Sequence, residues 1–481
     1  MKRNKNYASG LWFAAMLISV SGCKMMRPVE QRAQITTPAT FAGQADSSGI
    51  ASLQWKTFFN DRHLAALIDT ALHNNLDLKM AVQRIEMARS NIMAAHGALL
   101  PVVTGDVSGG GRKFGDYTMD GVGNYDTNFS ENIDEDRRLP APFLPDYFVG
   151  LRSSWEIDIW GKLKNQKKAA YTRFLASEKG RQAIVTGLIA EIARSYYELM
   201  ALDTELDIIR KNIALQESAV ETIKIQKEAG RANELGVRQL TAQLLNTRSL
   251  EYEVQQKIIE IENNVNLLAG RFPQPVTRST TLDQVIPAVV SAGIPAQMLK
   301  RRPDIQQAQL DLLANYSEQQ AAQLAFLPSL NITAALGFSA FKSNLLFSSG
   351  SLAYTALGGL TAPLINRKAL KANRKRAEAA SLEALYAYNK SVLNGFREVS
   401  TSLKKLENTK QIGELKKQEV EVLQQAVATS KDLFLTGYAS YLEVITAQRS
   451  VLQEELNLTN VQKEQFLALV ELYRALGGGW E

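Results

Sequence analysis

Apolar residues recur along most of the chain every three or four positions, and in four shorter stretches every second position. The first spacing predicts helices and the second predicts strands. Residues 65–97 read as one helix, stopped by Gly97 and Pro101. Within it Met80, Met87 and Met93 fall at helical spacing and are expected in the core rather than at a metal. Over 162–229, Val185, Ile189, Ile192, Tyr196, Leu199, Leu202, Leu206, Ile209 and Ile213 form a coiled-coil-like seam. A rise of about 1.5 Å per residue makes that helix roughly 100 Å long. Gly230 interrupts it. Asn233 can cap a further helix to Ala269, ended by Gly270 and Pro273.

The pattern then returns. A helix over 302–326 ends at Leu327-Pro328. A very long one over 367–435 carries Leu385, Val392 and Val399 at heptad spacing. Gly437 interrupts it, and Ser440 can cap a last helix running to Leu476. Ala98-Leu99-Leu100-Pro101 matches Ala325-Phe326-Leu327-Pro328, and Thr241-Ala242-Gln243 matches Thr446-Ala447-Gln448. The recurrence is an internal duplication with a period of about two hundred residues, far longer than a solenoid repeat. It divides the chain into a first repeat (61–272), a linker (273–301), a second repeat (302–476) and a short tail (477–481).

Each repeat carries two alternating stretches, near 102–111 and 146–158 in the first and near 329–341 and 351–364 in the second. Tyr147, Val149, Leu151, Ser153, Trp155 and Ile157 alternate with Asp146, Phe148, Gly150, Arg152, Ser154, Glu156 and Asp158. Leu330, Ile332, Ala334, Leu336 and Phe338 alternate with Asn331, Thr333, Ala335, Gly337 and Ser339. The lengths suit strands that cross a membrane, with one face toward lipid and the other toward water. A strand pair on a soluble core would give the same alternation.

The first residues favour the membrane reading. A basic start, an apolar run from Leu11 to Val20 and small residues at Ser21 and Gly22 read as a secretory signal over 1–22. Val20-Ser21-Gly22-Cys23 looks like a lipobox, with the chain's single Cys where cleavage falls. Cys23 is therefore the expected acylation site, and 23–60 the expected tether. The 481 residues are 45% hydrophobic, enough for a large core, and Lys+Arg total 55 against Asp+Glu 49. Three of the basic residues lie in the signal, so the remainder is near neutral, and a nucleic-acid partner is not indicated. No later stretch is apolar enough for a membrane helix, so any later crossing must be a β-barrel. Four strands cannot enclose water, and open strand edges are not tolerated in lipid. Several protomers must each contribute four strands.

Lys300-Arg301-Arg302-Pro303-Asp304-Ile305, Asn75-Leu76-Asp77-Leu78, and Gly437 through Ser440-Tyr441-Leu442-Glu443-Val444 to Ala447-Gln448-Arg449 give the chain a family likeness. In this order they resemble the TolC-like outer membrane efflux proteins, in particular the lipoprotein subfamily serving RND-type tripartite pumps. The resemblance covers nearly all of 50–476. It implies an α+β membrane protein and a homotrimer. Twelve strands would form a barrel in the outer membrane, and long helices a periplasmic α-barrel. The implied partners are a periplasmic adaptor, an inner-membrane RND-type pump and outer-membrane lipid.

The resemblance also implies roles. Glu443 resembles the acid that rings the closed tip and is the gate candidate; as a carboxylate in a first helical turn it also suits the helix dipole. Gly236 stands where the first repeat would carry the equivalent acid. Gly230, Arg231, Gly437 and Tyr438 form the helix-turn tips, candidates for adaptor docking. Arg301, Arg302, Pro303, Asp304 and Ile305 are the family signature. The polar stretch 112–146 reads as a solvated extracellular loop. Three histidines without an HExxH pattern, and no GxSxG or P-loop, leave no enzyme, cofactor or metal site expected. The function implied is a passive gated duct for small toxic compounds such as drugs, detergents or metal ions. A duct for ATP-driven protein secretion and a poreless coiled-coil scaffold are the alternatives.

Overall fold

The structure is a computed structural model, and it describes residues 38, 54–128, 130–139, 143–279, 295–365 and 367–480. Cys23, the signal and most of the tether lie outside the described residues. The elements run α1 (Trp55–Phe58), α2 (Arg62–Asn74), α3 (Leu76–Gly97), β1 (Val102–Arg112), α4 (Met119–Asn128), β2 (Leu144–Ile157), α5 (Lys162–Glu228) and α6 (Glu234–Leu268). After them come α7 (Pro295–Arg301), α8 (Pro303–Leu324), β3 (Ser329–Ala340), β4 (Leu352–Thr361), α9 (Lys368–Thr436) and α10 (Tyr441–Ala475). No described helix is long and apolar enough to cross a membrane.

The chain divides into two compact units. One comprises Ala88–Phe174 and Asp311–Ala384. It holds a single antiparallel sheet in the order β1-β2-β3-β4. Its register places Val107, Val149, Phe338 and Leu352 in one row, and Gly105, Leu151, Leu336 and Tyr354 in the next. Strand side chains alternate between faces, so these rows form an apolar face, on which Val107 is 83% and Tyr354 82% exposed. The opposite face carries Thr104, Asp106, Ser108, Arg152, Thr333 and Ser339. Among the described residues β1 and β4 each pair on one side only, leaving two open edges. The two helix-to-strand turns are fixed alike: Trp155 Nε1 donates to Leu99 O at 2.9 Å, and Trp160 Nε1 to Pro328 O at 2.7 Å. The acidic 112–146 stretch contains α4 rather than loop alone.

The other unit comprises Ala33–Met87, Leu175–Leu310 and Leu385–Glu481. Its core is the predicted seam: Ile192, Tyr196 and Leu199 are fully buried, with Val265, Phe466, Val470 and Tyr473 among their cluster. The end of the expected tether belongs to this core, since Trp55 and Phe59 are buried and Phe58 stacks on Tyr473 at 4.1 Å. Asp61 caps α2, accepting from the His63 and Leu64 N–H groups, and also receives the hydroxyls of Tyr196 and Ser279. Burial pushes this carboxyl up, but those hydrogen bonds outweigh it and leave its pKa lowered.

Two expectations are corrected. The single helix over 65–97 is two, because Asn75 adopts an extended ψ of 129° and caps α3 through Oδ1 to the Leu78 N–H. Met80, Met87 and Met93 are not core residues: they are 50%, 60% and 71% exposed, and α3 buries Leu78 and Ala81 instead. Met80 and Met87 share a face of α3 and Met93 lies about a third of a turn away, and spacing alone does not say which face the protein covers.

Candidate functional site

Both long hairpins turn in the same way. At the first, Gly230 takes φ 73° and its N–H donates to Lys227 O at 3.0 Å, while the Arg231 N–H reaches Gln226 O at 2.8 Å. At the second, Gly437 takes φ 80°, its N–H reaches Phe434 O at 3.2 Å, and the Tyr438 N–H reaches Leu433 O at 2.9 Å. These are paired Schellman closures, which need a left-handed residue that glycine adopts without Cβ strain. Asn233 then caps α6 by accepting from the Gly236 N–H at 3.0 Å, and Ser440 caps α10 by accepting from the Leu442 N–H at 3.3 Å.

The side chains differ. In the first tip Glu234 bridges Lys227 at 2.5 Å and Arg238 at 2.7 Å, and these cations hold its carboxyl below the usual range. In the second, Glu443 accepts from the Ser440 hydroxyl. Ser440 and Glu443 have the spacing of a capping box, closed here between the two side chains. The Ser440 hydroxyl is the largest cause of the lowered Glu443 pKa. Glu443 is exposed, as are Tyr438 (86%) and Leu442.

The two tips meet through an apolar cluster in which Val220, Ile223, Leu240 and Leu244 are joined by Phe434, Tyr441 and Ile445. Tyr441 explains Gly236. A β-carbon on Gly236 would lie 3.1 Å from the Tyr441 ring, so the missing side chain makes room for an aromatic from the other hairpin. Sequence reasoning marked Gly236 as a departure from the acidic pattern but had no signal for its partner.

The signature residues gather elsewhere in this unit. Arg302 is 3% exposed; it binds Asp304 through Nε and Nη2, Glu398 at 2.7 Å, and the Ala475 carbonyl at 2.9 Å. Burial alone would lower the Arg302 pKa and raise that of Asp304, but their pairing reverses both shifts. Pro303 opens α8, Ile305 is buried, and the Arg301 carbonyl accepts the Trp480 indole N–H at 3.0 Å. The first half solves the same problem with a neutral group: Asn75 Nδ2 donates to Leu268 O at 2.9 Å, at the end of α6. A further clamp was not legible in the sequence. Arg278 joins Asp203 and Glu262, both at 2.5 Å, and the Asp203 carboxylate is the main cause of its raised pKa.

One unit thus holds an open-edged sheet with one apolar and one polar face, and the other holds very long paired helices. The family profile described as outer membrane efflux protein matches residues 67–271 and 294–478. The chain belongs to this outer membrane efflux protein family. It is 27% identical to the probable outer membrane lipoprotein SilC of Salmonella typhimurium, over 97% of this chain and 99% of that protein. It is 28% identical to the toluene efflux pump outer membrane protein TtgI of Pseudomonas putida, over 96% and 97%. Identity to the cation efflux system protein CusC of Escherichia coli O6:H1 is 26%, over 96% and 97%. Among solved structures, a membrane protein from Pseudomonas aeruginosa superimposes with a TM-score of 0.85 at 26% identity, covering 95% of this chain and 98% of that one. A CusC crystal structure gives 0.80 at 25% identity, covering 94% and 99%. The protein is thus an efflux channel component of the outer membrane.

Proposed function

We propose that the protein is the passive, gated outer-membrane duct of a tripartite efflux system, assembled as a homotrimer. The carrying observation is the four-stranded sheet with two open edges and opposed apolar and polar faces. Three such sheets joined β1 to β4 make a closed twelve-stranded barrel, apolar outside and polar inside, with no free edge left in lipid. An inner-membrane RND-type pump would supply energy, and a periplasmic adaptor would dock at Gly230, Arg231, Gly437 and Tyr438. The cargo is a small toxic compound; the names of TtgI and CusC point to organic solvents or cations.

Glu443 is the gate residue in this reading. Its exposure beside a hairpin turn and its lowered pKa support it, since three ionised copies near one axis would repel unless held by neighbours. Acylated Cys23 adds a lipid attachment to a protein that the barrel already holds in the membrane.

The test is conductance in planar bilayers with native mass determination. Trimers that conduct weakly and open when Glu443→Ala is introduced are expected. Monomers without conductance would overturn the duct, and an unchanged Glu443→Ala current would overturn the gate. Cys23→Ser behind a cleavable signal should still give trimers. Deleting the gene should sensitise cells to drugs, detergents or metal ions; lost protein secretion with unchanged sensitivity would point to an ATP-driven system instead.

A further inference from the structure

The polar face of the sheet carries one aromatic side chain, Phe148. Its ring does not stand free. It lies over Gly150 and Gly337, which face one another across β2 and β3. A β-carbon on Gly150 would come within 2.9 Å of Phe148 Cζ, and one on Gly337 within 3.0 Å. Both positions are glycine, and a β-carbon at either would meet the backbone of the facing strand even before it met the ring. Arg152, on the same face beyond Gly150, sets its guanidinium carbon 4.7 Å from the ring centroid. Its Nε is held 3.2 Å from Asp106. A guanidinium has five N–H donors, so this pair leaves donors for a further acceptor.

Phe148 and Arg152 border a recess of about 390 Å³ that Ser108, Ser339 and Arg112 also line, together with Asp146, whose charge Arg112 meets at 3.6 Å. That volume falls within the roughly 300–1,000 Å³ of small-molecule sites. The recess lies toward the ends of β1 and β2 that are remote from the helix-to-strand turns. An aromatic ring, a stacked guanidinium and hydroxyls around one hollow recognise a flat apolar body with an anionic group.

We propose that this recess is a binding site for aromatic anions at the outward mouth of the duct. The inference rests on the reading of the polar face as the lumen. The ring of the ligand packs beside Phe148 and its anionic group bonds to Arg152. Cargo leaving the channel would pause there, and the same site would admit an aromatic anion from outside as a blocker.

The test uses the full-length protein in lipid nanodiscs, titrated calorimetrically with naphthalenesulfonate and with neutral naphthalenemethanol. Saturable sulfonate binding is expected, with the neutral compound weaker by about tenfold, the loss of a charge-assisted hydrogen bond. Arg152→Gln should abolish that preference, Phe148→Leu should weaken both compounds, and Phe148→Tyr should restore binding. Equal affinity for the two compounds in the unaltered protein overturns the proposal, whether or not the variants assemble. So does unchanged binding in Arg152→Gln. A protein that conducts in bilayers without binding the sulfonate loses this site alone; one that binds it without conducting keeps the site and loses the duct.

Discussion

The two hairpins, α5 with α6 and α9 with α10, turn on the same backbone and present different chemistry. Each closes with a left-handed glycine, and each restarts with a side-chain cap on a helix of 35 residues. The first then shows a charged triplet around Glu234, while the second shows Tyr438, Leu442 and a Glu443 carboxylate tied to the Ser440 hydroxyl. Reversing a helix leaves few backbone solutions, so both turns share one. The outward-facing residues are free of that demand and have diverged. The same contrast holds at the other helix ends, where neutral Asn75 seals α6 and charged Arg302 seals α10.

That last contrast gives the largest expected effect. Arg302→Met leaves half-exposed Asp304 without its cation and Glu398 with Arg474 alone, at 3.4 Å, so the loss should lie toward the lower end of the about 3–5 kcal/mol that breaking a buried pair costs. Asn75→Ala should cost only about 1–2 kcal/mol, a neutral hydrogen bond and a cap. Thermal unfolding in detergent measures both, and equal losses would mean that the two seals are interchangeable. Next, Gly230→Ala and Gly437→Ala should each cost about 1–2 kcal/mol for a left-handed Cβ. Unequal values would break the backbone equivalence of the tips.

Gly236→Ala tests the Tyr441 contact. It should raise helix propensity yet loosen the cluster between the tips, so bilayer current should rise with little change in melting temperature. The smallest effect concerns pH. The pKa values of Glu234 and Glu443 are both lowered, so each contributes stability that is present above the ordinary carboxylate range and lost as pH falls through the lowered value. Ser440→Ala removes the main cause at Glu443, so the second tip should be looser already at neutral pH and should lose most of its acid response. Salt should weaken the ion-paired first tip and spare the second. Hydrogen exchange at the two turns reads both responses.

Much of this was legible in the sequence because it is local or periodic. The seam through Ile192, Tyr196 and Leu199, the caps Asn233 and Ser440, and the alternation through Leu336 and Phe338 follow from spacing along one element. What was not legible depends on residues far apart. The break at Asn75 is fixed partly by the Leu268 carbonyl. Arg278 could pair with many acids, and only folding selects Asp203 and Glu262. Phe148 stood in the polar set of its strand without explanation until Gly337 came opposite Gly150.

The two free edges of the sheet also bear on genetics. In the proposed ring each chain completes its neighbour, so a chain with an intact β4 but a proline placed within β1 would join and then prevent closure. Such an allele would be dominant: in a cell making both chains equally, most rings would contain at least one blocker. The phenotype would exceed that of losing half the gene dose, and overproducing the normal chain would rescue it.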